Sequence, residues 1–216
     1  GERKDTATMQ ITHTMFALEK ARSLPRNSIW FYDLDLHQEE ILQNYVESHM
    51  NQALEAGEFK MYLQPKFDLK TGELAGAEAL VRWISEDGKV IYPGQFIPIF
   101  ENNGFCASLD MYMTEQVCRQ LRQWKLEGVP MIPISVNQSK ILFYEADYVE
   151  RMETLIRKYQ VPASWITLEI LEGLAMENID KLNQVIVSLK KIGFRISMDD
   201  FGSGYSSLNT LGNLRI

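Results

Sequence analysis

The stretch FRISMDD, residues 194–200, decides how this chain folds. A short apolar run ends on two adjacent carboxylates, Asp199 and Asp200. Side chains alternate faces along a strand, so Ser197 and Asp199 share one face while Ile196 and Met198 share the other. Two upstream segments repeat the arrangement, Ser135-Val136-Asn137 and Thr167-Leu168-Glu169. Each puts a small hydroxyl residue and a metal-capable polar residue on one face, opposite aliphatic side chains. Asn137, Glu169 and Asp199 follow one another at intervals of about 30 residues, the length of one βα unit.

The segments between these strands have helical periodicity. YVERMETLIRKYQ (148–160) and IDKLNQVIVSLKKIG (179–193) separate them, which gives βαβαβ and predicts a parallel sheet covered by helices. Further upstream, FKMYLQPKFDL and ELAGAEALVRW flank the turn KTGE as an antiparallel pair. GQFIPIFENNG then leads into a helix around LDMYMTEQVCRQLRQWKLEG. Before Phe59 the pattern predicts a helix over ITHTMFALEKARSL, a short strand SIWFYD, and a helix over QEEILQNYVESHMNQALEAG that stops at Gly57. Polar residues facing inward and aliphatic residues facing the helices suit the mouth of a (β/α) barrel, where ligands gather at the C-terminal strand ends. A doubly wound open sheet would place ligands there too.

Composition narrows the classes of function. The 216 residues carry a net charge of −7, which argues against broad attraction to DNA, RNA or anionic membranes. Cys106 and Cys118 fit no zinc or redox spacing and read as reduced thiols. No apolar run reaches the roughly 18 residues of a membrane span, and GERKDTATMQ is not a signal peptide. The expected location is cytoplasmic, either free or as the cytoplasmic part of a membrane-anchored parent.

Carboxylates gathered without a cation repel and raise one another's pKa, and a divalent ion removes that conflict. His13, His37 and His49 lie outside the strand region, and no cysteine ends a strand. The donor set is therefore oxygen only, which favours Mg²⁺, Mn²⁺ or Ca²⁺ over zinc. Taken singly, each polar strand end also reads as a helix cap or turn former. Three strands in phase, the last ending on an aspartate pair, weigh against that. Asp200-Phe201-Gly202 also occurs in protein kinases, but no kinase glycine loop or catalytic loop accompanies it here.

Four motifs occur in order: AEALVRW (77–83), SVNQS (135–139), LEILEG (168–173) and DDFGSGYSSL (199–208). With them the chain resembles the EAL domain, a bacterial cyclic di-GMP phosphodiesterase, from about Phe59 onward. The resemblance implies an α/β fold, a (β/α)₈ TIM-like barrel, and two Mg²⁺ or Mn²⁺ ions that hydrolyse cyclic di-GMP to linear pGpG. It assigns Glu78, Asn137, Glu169 and Asp199 to one metal, with Asp199 bridging to a second beside Asp200. Glu78, Glu169, Asp199 and Asp200 are then the catalytic set. Gln64 and Arg82 match positions near the nucleotide, and Glu172 matches a glutamate that supports the loop FGSGYSSL. Leu171 and Ser203 stand where the family commonly has Thr; neither change removes a ligand. The resemblance also places Ile216 before a lysine-bearing strand, so about five of eight strands are expected and the chain alone is expected to be weak or inactive. A homodimer through EAL domains is the expected assembly.

The segment FALEKARSLPRNSIWFYD (16–33) resembles the last helix and strand of a GGDEF-like domain. The expected organisation is a GGDEF-like tail at 1–35, a linker helix at 36–58, and the EAL portion at 59–216. Two other readings compete. One is a non-catalytic cyclic di-GMP-binding or regulatory module. The other is a barrel glycosidase using Glu78 and Glu169, which leaves the Asp pair and Asn137 without a role.

Overall fold

A computed structural model describes residues 7–23, 29, 31–171, 179–199 and 215. The chain divides into two compact units, Gly1–Met50 and Asn51–Ile216. Among the described residues, no helix is long and apolar enough to cross a membrane.

The N-terminal unit holds α1 (Ala7–Ser23) and most of α2 (Leu34–Glu55). Asp33 starts α2: its Oδ1 accepts hydrogen bonds from the backbone N–H of Asp35 and Leu36, at 2.9 and 3.2 Å. His13 stacks on Tyr32 with ring centres 3.8 Å apart, and the Tyr32 hydroxyl lies 2.9 Å from His37 Nδ1. Of the strand expected over SIWFYD, the described residues Ile29 and Phe31–Asp33 are irregular. Among the described residues this unit offers no second strand to pair with them.

The larger unit is built on one sheet in the order β1-β2-β4-β5-β6, with β3 pairing β2. β1 (Phe59–Phe67) and β2 (Leu74–Ile84) are antiparallel, joined by a turn in which Gly72 has φ +71. The two-residue β3 (Val90–Ile91) folds back on Trp83 and Ile84. From there β2, β4 (Ile134–Gln138), β5 (Ile166–Leu171) and β6 (Arg195–Asp199) run parallel. The fold is thus α/β with a parallel sheet, as the phased triplets predicted.

Helices α3 (Pro93–Asn103), α4 (Cys106–Glu127), α5 (Tyr148–Tyr159) and α6 (Ile179–Ile192) make the crossovers. The segment around Pro98 was expected only to lead into a helix, yet it forms α3 itself. Gln95 closes its first turn by accepting the Tyr92 N–H at 3.0 Å, and Gly104 ends it at φ +82. On α4, Leu109, Met113, Val117 and Leu121 recur at four-residue spacing and are all buried. The buried polar side chains of Tyr148, Gln138 and Thr114 are paired with one another. The Tyr148 hydroxyl donates to Gln138 Oε1 at 2.7 Å, and Gln138 Nε2 donates to Thr114 Oγ1 at 3.1 Å. Those bonds tie α5, β4 and α4 together just where β4 delivers Asn137. An aromatic cluster of Phe59, Trp83, Phe96, Phe100 and Phe105 packs where β1 meets α3, and the Trp83 indole donates to Glu58 Oε2 at 2.8 Å.

Candidate metal centre

Glu78 on β2, Glu169 on β5 and Asp199 on β6 each offer a carboxylate oxygen, and these oxygens lie within 4.8 Å of one another. Strand register explains the convergence. Glu78 pairs with Ser135, Asn137 with Glu169, and Glu169 with Ser197, so side chains two residues apart on neighbouring strands line one face. Glu169 is buried at 8% exposure. Its Oε2 has no hydrogen-bond partner among the described residues.

A lysine that the sequence reading passed over reaches the same place. Lys66 Nζ donates to Ser135 Oγ and Glu169 Oε1, both at 2.8 Å, and lies 3.2 Å from Glu78 Oε2. Partial burial pulls the Lys66 pKa down. The hydrogen bonds and charges of Glu169 and Glu78 outweigh this and hold it above its ordinary value. A signal for it was present. Lys66 is two residues from Gln64 on β1 and pairs with Gly76, two residues before Glu78, so parity puts all three on one face.

A cavity of about 220 Å³ is lined by Arg82, Asn137, Asp110, Cys106 and Ser139, among others, though by none of the three clustered carboxylates. Asn137 is exposed on its rim. The Arg82 Nη1 donates to the Val81 carbonyl at 2.8 Å. Asp110, also unmarked in the sequence, accepts the Ser139 backbone N–H at 2.6 Å and so braces the loop after β4. Burial pushes its carboxyl up to about 7. Burial likewise pushes the Cys106 and Cys118 thiols up to about 12, and both are free, so neither is a poised nucleophile. Gln64 is exposed on β1 opposite Glu78. Asp200, Glu172 and the loop FGSGYSSL lie outside the described residues.

The donors suit a hard divalent cation. Among the described residues the grouped donors are the carboxylates of Glu78, Glu169 and Asp199, all oxygen. The buried orphan oxygen of Glu169 is of the kind an ion would satisfy.

Fold and site define an α/β protein, of TIM-barrel-like type, with carboxylates converging from three strands of its parallel sheet. The sequence profile of the EAL domain matches residues 47–216, and the chain belongs to that family. The bifunctional diguanylate cyclase/cyclic di-GMP phosphodiesterase MucR of Pseudomonas aeruginosa is 32% identical over 198 residues, covering 92% of this chain and 29% of MucR. The signaling protein YkoW of Bacillus subtilis is 30% identical over 200 residues, covering 93% of this chain and 25% of YkoW. This chain therefore spans about a quarter to a third of the length of these relatives. The solved structure of the PaMucR phosphodiesterase in complex with c-di-GMP superposes with a TM-score of 0.73 at 33% identity, over 79% of this chain and 69% of that one.

Proposed function

We propose that this chain supplies metal and nucleotide contacts of a cyclic di-GMP phosphodiesterase that releases linear pGpG. The observation that carries the reading is the convergence of Glu78, Glu169 and Asp199, with a buried Glu169 oxygen that has no hydrogen-bond partner among the described residues. The names and bound ligand of the EAL relatives support the substrate. Glu78, Asn137, Glu169 and Asp199 hold one Mg²⁺ or Mn²⁺, and Asp199 with Asp200 holds a second. Such a pair, when bound, supplies an activated water and offsets charge on the phosphate oxygens. Arg82 presents two parallel N–H donors to a phosphate, which its planar fork suits. Gln64, on the neighbouring strand, donates to the nucleotide, and Glu172 holds the loop after Asp200.

In this reading residues 1–35 are the tail of a GGDEF-like domain, 36–58 a linker helix, and 59–216 EAL sequence. The assembly is a homodimer through the EAL units, working in the cytoplasm. The test is pGpG release from cyclic di-GMP by the full chain with Mn²⁺, compared with Asp199→Asn. Turnover by this chain alone is expected to be weak, abolished by EDTA and reduced at least about 100-fold further by Asp199→Asn, since even outer groups at metal sites cost 10–100-fold. Unchanged turnover in Asp199→Asn would remove the metal assignment.

A further inference from the structure

We infer that Lys66 is a tethered cation that competes with divalent ions for the carboxylates of Glu78 and Glu169. The inference rests on the metal-centre reading above. An ammonium has three N–H donors, and Lys66 finds three acceptors in Ser135 Oγ, Glu169 Oε1 and Glu78 Oε2 at 2.8, 2.8 and 3.2 Å. Two of these belong to the cluster whose oxygens lie within 4.8 Å of one another. An oxygen engaged by a hard cation at about 2 Å leaves any ammonium on that same oxygen within strong repulsive range of the ion. The ammonium and the ion therefore oppose each other at this face.

The contacts are long-range and specific. Lys66 stands 69 residues from Ser135 and 103 from Glu169 in sequence. They join β1 to β4 and β5, strands that it does not pair with in the sheet. Lys66 can also leave. Its side chain is 44% exposed, and its four-carbon stem can swing the charge into water without burying it elsewhere. In the interval before an ion arrives, it offsets the repulsion between Glu78 and Glu169 and keeps both turned inward. It thereby sets how much divalent ion the site needs before loading.

The test is calorimetric titration of the full chain with Mn²⁺ alone, at one fixed pH, for the wild type and Lys66→Met. The expected result is Mn²⁺ binding about tenfold tighter in Lys66→Met, together with a lower melting temperature of the metal-free variant. These opposite signs exclude a merely structural lysine, whose loss would weaken both. Lys66→Gln, which keeps a donor for Ser135, gives the same comparison if methionine compromises folding. Unchanged or weaker Mn²⁺ binding by a folded variant overturns the role of Lys66 and leaves the metal centre standing. No Mn²⁺ binding by either wild type or variant overturns the metal centre, and this inference with it.

Discussion

Glu169 Oε2 is buried with no hydrogen-bond partner among the described residues, and an orphaned acceptor of this kind costs about 1–3 kcal/mol or more. A cation that takes it up recovers that cost. Glu169→Gln is therefore expected to weaken Mn²⁺ binding at least about 100-fold, read by the manganese resonance of the free ion. A second residue carries a pH signature. Burial raises the Asp110 carboxyl from its ordinary 3.8 to about 7, with Glu101 adding repulsion. The folded state then binds its proton more tightly than the unfolded one. The stability this contributes is full below 3.8 and is lost as pH rises through about 7. Asp110→Asn keeps an acceptor for the Ser139 N–H and removes the charge. Its melting temperature is expected to gain on wild type as pH rises from about 4 to about 7; a constant difference would contradict the account.

At the level of elements, β2 holds Glu78 in place through its pairing with β4. Gly76 sits close against the residue before β4, where an added Cβ would lie 2.8 Å from the Pro133 carbonyl oxygen. The adjacent Ala77 N–H donates to that same oxygen at 2.9 Å. Gly76→Ala must push the strands apart and is expected to cost about 1–3 kcal/mol in urea unfolding. The parallel strands were legible in the sequence because each triplet repeats its parity, and because a helix-length segment separates one from the next. Glu169 and Asp199 were marked by that parity, Glu78 only by the motif around it. Lys66 escaped because its partners are distant in sequence and a lone strand lysine reads as solvated. Helix α3 escaped because Pro98, which has no N–H to donate, sits inside it. The strand β3 is two residues long, too short to show a period.

For the molecule as a whole, stability and function meet at the same sheet. Trp83 is fully buried among Phe59, Phe96 and Phe100, and its indole is satisfied by Glu58. Trp83→Ala is expected to cost about 3–5 kcal/mol and to unfold the larger unit at temperatures the wild type survives, as read by circular dichroism. Ions that bind only the folded carboxylate cluster must raise the melting temperature in proportion to the logarithm of their concentration. The most direct measurement is an anomalous difference map from crystals of the full chain grown with Mn²⁺. The account predicts a peak at about 2.1 Å from oxygens of Glu78, Glu169 and Asp199, with Lys66 Nζ withdrawn from the carboxylates. Ordered carboxylates with no peak among them, in crystals holding Mn²⁺, would contradict it.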